Sequence, residues 1–493
     1  MTPLKNPALL DRAVLPQPVL EDAPELIELY WAAWEMAWDH IVARDEMTRS
    51  PYMDEGFDPE TIWIWDTCFM AHFCKYAPAT FPGIESLENF YAVMYDHASS
   101  AVNIHHPDNP PLFAWTEYEY VRHTGDFRRI SRLLDSGYLQ KHFEFFDSVP
   151  RGSLFPYSNV PTEIERTERG YRWNGVCSGM DNTPRAGQQG EHGTYGDILW
   201  FDAAAQQALA ARSIAQLASL VGRDEIADEF DAHHRRLITL VNTYWDSQDA
   251  IYYDRDATAP YDFHRVKTPA VYWPLLAGAC DDQQAQALAD KLIDPTCFGG
   301  PVPWSSVARD EDTFRPKGHY WRGGVWIPIA YMSARSLADN GYAKLAATAS
   351  RELLDHMART YADYNPSTIW EAYAPNRAAP STDKDDEHIV RADFCGWSAL
   401  APISMLIEHV LGFRVDAVSH TVTWTRPGGA VGIRRLRCGG TTLDVVDDGT
   451  GTLTIVTDTP LRLVIDGTTI EISEGGQMTG TIQPDGKWTS TSA

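Results

Sequence analysis

The chain contains 493 residues, of which 44% are hydrophobic and 22% are charged, so it is globular and long enough to bury a large core. A formal net charge of −27 argues against a partner that is nucleic acid or an anionic membrane. No apolar run approaches the length needed to span a bilayer.

The aromatic and cysteine residues indicate the kind of ligand and the compartment that suit the protein. Aromatic residues make up 12% of the chain, and their flat faces suit the stacking of sugar rings, although a large core accounts for part of this load. Seven cysteines are scattered without CxxC spacing. Reduced thiols in a cytoplasmic protein explain them better than a disulfide scaffold or a zinc site. The amino-terminal segment also lacks the pattern of a secretory signal.

The chain begins with an extended segment and continues into helices. Prolines punctuate residues 1–24, which we predict to lie extended over the surface. Residues 25–44 repeat apolar side chains at helical spacing and begin a helical domain that reaches residue 412. In the next helical stretch, residues 61–81, Asp66 precedes an apolar run. It either caps that helix or projects into a pocket, and the two roles are compatible.

Two loops follow in the first half of the domain. Residues 103–115 contain His105 and His106, which we interpret as ordinary loop histidines because no third metal ligand stands at a recognisable spacing. Residues 171–185 place Asp181 between Gly179 and Pro184, a setting typical of a loop. Taken alone, these residues favour a structural aspartate that caps a helix or closes a turn.

Helical hairpins dominate the middle of the chain. We predict helices at residues 197–222 and 224–245, a hairpin at 271–293, and a further pair at 325–341 and 342–362. The link after Trp245 carries several aspartates without calcium-loop spacing, which indicates a solvated turn. Aromatic and charged loops at 318–328, 367–376 and 391–398 are expected to gather at one end of the helices and to build the site.

The sequence pattern changes from helical to strand-like after residue 412. Residues 413–485 alternate apolar and polar side chains, are rich in Thr and Val, and are divided by Asp-Gly and Gly-Thr turns. We predict a small antiparallel β domain with a structural role, followed by a flexible tail at 486–493.

The chemistry of the chain rests on carboxylates in aromatic loops. Signatures of nucleotide-binding, α/β-hydrolase and zinc-protease sites are missing. Glycoside hydrolysis needs one protonated acid and one base or nucleophile, and we select Asp181 and Glu371. Trp370 adjoins Glu371, and an indole beside a carboxyl group raises its pKa. The competing acids are Asp66, Glu117, Glu119, Asp197 and Asp393.

Four motifs in this order resemble those of a known family: WIWDTCF at 63–69, SGMDNTPR at 178–185, YWRGGVWIP at 320–328 and IWEAYAPN at 369–376. The chain is similar over about residues 25–410 to glycoside hydrolase family 63 and to the related bacterial mannosylglycerate and glucosylglycerate hydrolases, and more distantly to trehalases.

That resemblance implies a mainly α fold, an (α/α)6 barrel, and inverting hydrolysis of an α-glycosidic bond in a small α-glucoside or α-mannoside, with no cofactor for the chemistry. No metal-binding residues are predicted from the sequence. It implies that Asp181 is the general acid and Glu371 the general base, and that Asp66 binds sugar hydroxyls. Arg185 and Arg322 are expected to orient the acids or to hold polar substrate groups. The aromatic walls of the substrate site are expected at Trp65, Trp115, Tyr320, Trp321, Trp370 and Trp397.

Other functions stay open at this point. A helical-barrel sugar epimerase, lyase or phosphorylase is one alternative, and a non-catalytic carbohydrate-binding protein is another. An epimerase of this kind needs paired histidines facing the pocket, and the sequence offers no convincing pair beyond His105 and His106. The predicted partner is a small carbohydrate, and the protein is a candidate homo-oligomer.

Overall fold

The computed structural model describes residues 8–186, 198–483 and 485–490. These residues form a helical domain and a β region that follows it in the chain. Within these ranges, no helix combines the length and the apolar character that a membrane crossing requires.

Helices account for most of the regular structure up to residue 410. Helices form in each predicted hairpin, although the first helix ends at Asp39, before the predicted residue 44. The segment Ala401–Val410 is a π-helix, and short 3-10 turns lie at Arg12–Val14, Pro184–Ala186, Asn242–Tyr244, Pro269–Val271 and Tyr320–Arg322. The α-helices are α1 (Pro24–Asp39), α2 (Ile64–Cys74), α3 (Gly83–Tyr95), α4 (Phe113–Thr124), α5 (Phe127–Ser136), α6 (Tyr138–Ser148), α7 (Phe201–Leu220), α8 (Asp224–Val241), α9 (Tyr272–Ala277), α10 (Asp282–Ile293), α11 (Ile327–Asp339) and α12 (Ala343–Asp363).

The helices pack in a closed order. Contacts run from α2 to α4, then to α7, α9, α11 and the π-helix, which contacts α2 again. Outside this ring, α3 packs on α2, α8 on α7, and α12 on both α11 and the π-helix. We call the first six elements the ring helices. Their amino-terminal ends lie on one side of the domain, where the aromatic loops meet.

Local sequence explains individual helices. Helix α7 is rich in alanine and is buried along nearly its whole length, because small side chains allow its neighbours on several sides to approach closely. Helix α10 begins with a capping box, in which the Asp281 carboxylate accepts from the backbone amide of Gln284 and the Gln284 side-chain oxygen accepts from the backbone amide of Asp281.

Strands occur in two groups. Short strands between the helices position loops, and the later strands build the β region. They are β1 (Gln17–Leu20), β2 (Ile41–Val42), β3 (Tyr52–Met53), β4 (Thr61–Trp63), β5 (Asn103–His105), β6 (Glu165–Thr167), β7 (Gly170–Arg172), β8 (Ile198–Leu199), β9 (Trp245–Asp246), β10 (Ile251–Tyr252), β11 (Asp254–Asp256), β12 (Phe263–His264), β13 (Phe413–Asp416), β14 (Thr421–Trp424), β15 (Ala430–Cys438), β16 (Thr441–Asp448), β17 (Thr452–Thr457), β18 (Leu461–Ile465), β19 (Thr468–Ile472), β20 (Gly476–Ile482) and β21 (Trp488–Ser490).

The β region consists of a six-stranded and a four-stranded sheet. The six-stranded order is β1-β15-β16-β17-β20-β21, and the four-stranded order is β13-β14-β18-β19. Two expectations need correction. Strand β14 runs parallel to β18, so the region is not wholly antiparallel. Strand β21 pairs with β20, so Trp488–Ser490 belongs to the sheet and not to a flexible tail.

The amino-terminal segment is part of the same sheet. Strand β1, inside the segment predicted to be extended, pairs antiparallel with β15. Arg435 on β15 reinforces the contact, because its guanidinium donates to the carbonyl of Leu15 at 3.0 Å and to that of Arg12 at 3.3 Å. Both ends of the described chain are therefore joined in one sheet.

Candidate active site

A cavity of about 110 Å³ opens at the amino-terminal ends of the ring helices. It combines three carboxylates with indole, phenol and imidazole rings, a composition suited to binding a polar ring with apolar faces. The lining residues are Phe57, Trp63, Trp65, Asp66, His105, His106, Asn109, Val176, Gly179, Asp181, Tyr320, Trp321, Glu371 and Trp397.

Asp181 lies on a tight loop that needs its glycines. Gly179 has a φ of +80°, and a Cβ there would lie 3.2 Å from the indole of Trp65. A Cβ at Gly175 would lie 2.2 Å from the carbonyl oxygen of Asp181. The backbone thus packs directly on the cavity wall. The carboxylate is partly exposed, and Lys384 Nζ binds its Oδ2 at 2.7 Å.

Glu371 is buried and held from three directions. Tyr320 Oη donates to Oε1 at 2.8 Å, while the backbone amide of Arg391 donates to Oε2 at 3.2 Å and its Nη1 lies 3.2 Å from the same oxygen. Burial raises the pKa of Glu371, and the charge of Arg391 and the hydrogen bond from Tyr320 lower it part of the way back. A carboxylate with a raised pKa and a fixed orientation is suited to proton transfer.

Asp66 completes the group of acids in the cavity. It lies in the first turn of α2 and is 5% exposed. Burial raises its pKa well above the usual aspartate range, its own backbone amide opposes this, and the negative charges of Glu371 and Asp181 raise the pKa further. The charges of the other two acids therefore act on Asp66 across the same cavity.

A fourth acid, Glu55, was missed in the sequence. It is fully buried, and neither carboxylate oxygen has a hydrogen-bond partner among the described residues. Burial raises the pKa of Glu55 well above its ordinary value, and the charges of Asp54 and Asp66 raise it further. No recognisable motif surrounds Glu55, so only the three-dimensional structure shows that it lies near Asp66.

Four residues expected in the substrate site do not line this cavity. Trp115 packs against His72, with ring centroids 4.4 Å apart, deeper in the helical domain. Trp370 is buried beside Tyr364. Arg322 donates to the carbonyl of Asn182 at 3.1 Å, so it holds the backbone next to Asp181. The fourth is Arg185.

Arg185 contacts acids other than those of the cavity. It is fully buried and binds Asp202 and Asp254 through four hydrogen bonds of 2.7–2.8 Å. Its guanidinium also lies 4.4 Å from the ring centroid of Trp200. This arrangement corrects two interpretations. Arg185 anchors the Asp181 loop to α7 and β11, and the link after Trp245 is not a solvated turn, because Asp246 and Asp254 are buried.

The competing acids have structural partners. Glu117 pairs with Arg129 at 2.6 Å, and Glu119 pairs with Arg335 at 2.9 Å. Asp393 is mostly exposed and lies 4.0 Å from His40. Asp197 lies outside the described residues.

His106 belongs to a second group of polar side chains. His106, Asp108 and Cys177 are buried and offer ligand atoms within 4.8 Å of one another, which is a spacing that a metal ion could use. The group is also explained by hydrogen bonds: Cys177 Sγ lies 3.4 Å from His106 Nδ1, and Asp108 Oδ2 accepts from the backbone amides of Glu163 and Ile164. The sequence alone indicates an ordinary loop histidine at His106, because it does not show that the fold places Asp108 and Cys177 beside it.

Lys384 and Arg391 were also missed by sequence reasoning. Both follow the IWEAYAPN motif and both bind a candidate catalytic acid. Lys384 lies between the 367–376 and 391–398 loops, and Arg391 is the first residue of the second loop. Both loops were already expected to gather at the site, and this was the available signal.

Comparison with protein families finds a matching domain. The model of the mannosylglycerate hydrolase MGH1-like glycoside hydrolase domain matches residues 94–388. An uncharacterized protein of Borreliella burgdorferi is 23% identical over 423 residues, covering 82% of this chain and 83% of its own. A probable mannosyl-oligosaccharide glucosidase of Schizosaccharomyces pombe is 22% identical over 422 residues, and the match covers 73% of this chain but only 50% of that protein.

Solved structures share the fold. A family 63 mannosylglycerate hydrolase from Thermus thermophilus superimposes with a TM-score of 0.56 at 18% identity, covering 76% of this chain and 99% of that one. A sialidase superimposes with a TM-score of 0.68 at 12% identity, covering 90% of this chain and 40% of that one. The resemblance drawn from the four motifs is confirmed.

Proposed function

This chain belongs to the mannosylglycerate hydrolase MGH1-like glycoside hydrolase domain family, and from that premise we propose that it hydrolyses the α-glycosidic bond of a small α-glucoside or α-mannoside with inversion. The observation that carries the proposal is the convergence of Asp181 and Glu371, distant in sequence, on one cavity that also contains Asp66. Two carboxylates with different surroundings are what glycoside hydrolysis requires.

Asp181 serves as the general acid in this mechanism. Lys384 engages Oδ2, which leaves Oδ1 to carry the proton and to donate it to the leaving oxygen. The partial exposure of Asp181 suits an acid that meets the aglycone near the mouth of the cavity.

Glu371 serves as the general base. Its buried carboxylate takes a proton from a water molecule that attacks the anomeric carbon from the opposite face of the sugar. Inversion needs space for that water, with carboxyl groups about 6.5–9.5 Å apart. Asp66 accepts hydrogen bonds from sugar hydroxyls, while Trp65, Trp321 and Trp397 enclose the ring.

We also propose that the ring helices form the inner layer of an (α/α)6 barrel. The order of contacts from α2 through the π-helix and back to α2 supports six inner elements. The outer packing of α3, α8 and α12 supports the second layer.

The test replaces each acid by its amide. We expect Asp181→Asn and Glu371→Gln each to lower kcat by about 10²–10⁴-fold on the best substrate from a panel of α-linked disaccharides and glycosylglycerates. Proton NMR should show the β-anomer as the first product. Near-normal turnover in either variant, or an α-anomer formed first, contradicts the mechanism.

One observation favours a second candidate, a sugar epimerase. His105 and His106 both line the cavity, with ring centroids 4.1 Å apart. Burial lowers the pKa of His106 to about 3, so the ring is neutral near pH 7. Turnover in D₂O distinguishes the two functions, because epimerisation through proton abstraction places deuterium on a sugar carbon and hydrolysis does not.

A further inference from the structure

A second, larger cavity lies at the opposite ends of the ring helices. Its volume is about 420 Å³, within the range of about 300–1,000 Å³ that is usual for small-molecule sites. The carboxyl-terminal halves of the ring helices line it, and residues of β13, β14 and the turn between them close it. We call it the basal cavity.

The basal cavity is separate from the catalytic one. Three indoles lie between them: Trp65 lines the catalytic cavity, Trp115 lines the basal cavity, and Trp273 packs against both at centroid distances of 6.4 and 6.0 Å. A ligand in the basal cavity therefore does not contact Asp181 or Glu371.

Cationic side chains outnumber acids around the basal cavity. Burial lowers the pKa of the lining residue His123 to about 3, so that ring is neutral. The excess of positive charge is local, since the whole chain carries a net charge of −27. The cations are Lys75, Arg122, Arg212, Arg335 and Arg414, and the acids are Glu119, Asp339, Glu408 and Asp416.

Ion pairs use four of the cations. Lys75 and Arg335 bind Glu408, each at 2.9 Å, and Arg335 also binds Glu119. The other two pairs are Arg122 with Asp416 and Arg414 with Asp339.

Arg212 is the exception. Its Nη2 donates to the carbonyl of Leu276 at 2.6 Å and so caps the end of α9. Its Nε has no hydrogen-bond partner, and no carboxylate in the described ranges forms an ion pair with it. Burial lowers the pKa of Arg212, although the negative charges of Asp339 and Glu119 oppose this. Arg414 adds another unused donor, because its Nη2 is buried without a partner.

We propose that the basal cavity binds a small hydroxylated oxyanion, a sugar-sized molecule that carries a carboxylate or a phosphate group. A guanidinium stays charged in a folded protein, and Arg212 and Arg414 each leave one buried N–H donor without a partner, which is costly. Arginine donors match the geometry of both oxyanions. Ser419, Thr421 and Thr423 line the same cavity and supply partners for hydroxyl groups.

Calorimetry on the full chain tests this proposal. The probes are glucose 6-phosphate, gluconate, inorganic phosphate and neutral glucose, all at one ionic strength. We expect at least one sugar anion to bind with one-to-one stoichiometry, and glucose to bind at least tenfold more weakly. Binding of gluconate shows that the site accepts a carboxylate. If inorganic phosphate binds as tightly as glucose 6-phosphate, a phosphate group alone is sufficient for binding.

Matched variants place the ligand. Arg212→Gln should weaken binding at least tenfold, and so should Gln216→Glu, which puts a negative charge on the cavity wall with little change in shape. Arg235→Gln, on the exposed face of α8, should bind as the unmodified protein does, and so should Glu371→Gln. The proposal is overturned if no anion binds, if Gln216→Glu binds normally, or if Glu371→Gln abolishes binding. None of these outcomes depends on the proposed hydrolase activity.

Discussion

Arg391 controls the ionisation of the proposed base. Its guanidinium contacts Glu371 and also lies 3.7 Å from the ring centroid of Phe57 on the cavity rim. A base must be ionised to act, so the pKa of Glu371 sets the acid limb of the pH profile of kcat/KM. Because burial raises this pKa, we expect the limb to lie above the ordinary range of a glutamate.

Arg391→Met should move that limb to higher pH. The charge of Arg391 lowers the pKa of Glu371, so its removal lets the pKa rise further. The measurement is kcat/KM across pH 4–8, and Arg391→Lys is the control that keeps the charge. A limb at the same pH in the methionine variant would contradict this role.

Glu55 should make the fold less stable as pH rises. The pKa of Glu55 is higher in the folded state than in the unfolded state. The stability that Glu55 contributes at low pH is therefore lost as the pH rises from its unfolded-state pKa to its folded-state pKa. We expect Glu55→Gln to be more stable than the unmodified protein by about 1.4 kcal/mol for each pH unit in that window, and no more stable below it. Urea unfolding at pH 4, 5.5 and 7 measures this, with the exposed Glu60→Gln as control. A benefit that does not change with pH would refute the explanation.

The contrast among these acids shows how far sequence reasoning reaches for the site. Asp66, Asp181 and Glu371 lie in short motifs, and the structure brings all three to one cavity. Glu55 and Lys384 have no motif around them. Their roles depend on separate loops that come together in the folded protein. The spacing of residues along the chain does not show which loops meet.

At the scale of elements, a buried ion-pair cluster fixes the loop that carries Asp181. Arg185 links this loop to Asp202 in the first turn of α7 and to Asp254 on β11. Sequence reasoning found the helices because their apolar periodicity is local. It placed Asp254 in solvent because an aspartate in a turn-rich stretch carries no sign of its distant partner.

We expect Arg185→Met to destabilise the protein by about 3–5 kcal/mol, because two buried carboxylates lose their counter-charge. Urea unfolding measures the change. Arg235→Met is the control, since that arginine forms an exposed pair with Asp231 and its loss should cost less than about 0.5 kcal/mol. A small effect at Arg185 would show that the cluster is dispensable.

At the scale of the whole molecule, β1 ties the amino-terminal segment to the β region. Alternating apolar residues predicted the later strands correctly, but they could not show that β1 joins them, because a strand of four residues carries too little pattern to specify its partner.

Arg435→Met should loosen this connection without affecting catalysis. It removes the hydrogen bonds to the carbonyls of Arg12 and Leu15. We expect faster hydrogen–deuterium exchange in residues 12–20 and unchanged kcat/KM. Arg462→Met, which removes an exposed pair with Glu471 in the other sheet, is the control. Unchanged exchange in residues 12–20 would show that strand pairing alone holds the segment.

The pairing of β1 with β15 also has a consequence for biosynthesis. Arg435 and Leu15, whose hydrogen bond reinforces this pairing, are 420 residues apart. At about 5–20 residues per second, a ribosome needs roughly 20–80 s to make the intervening chain. During that time β1 has no strand to pair with, while the helices between can already pack. Strand β1 is therefore translated long before it can pair, and it is among the last strands of the sheet to find a partner.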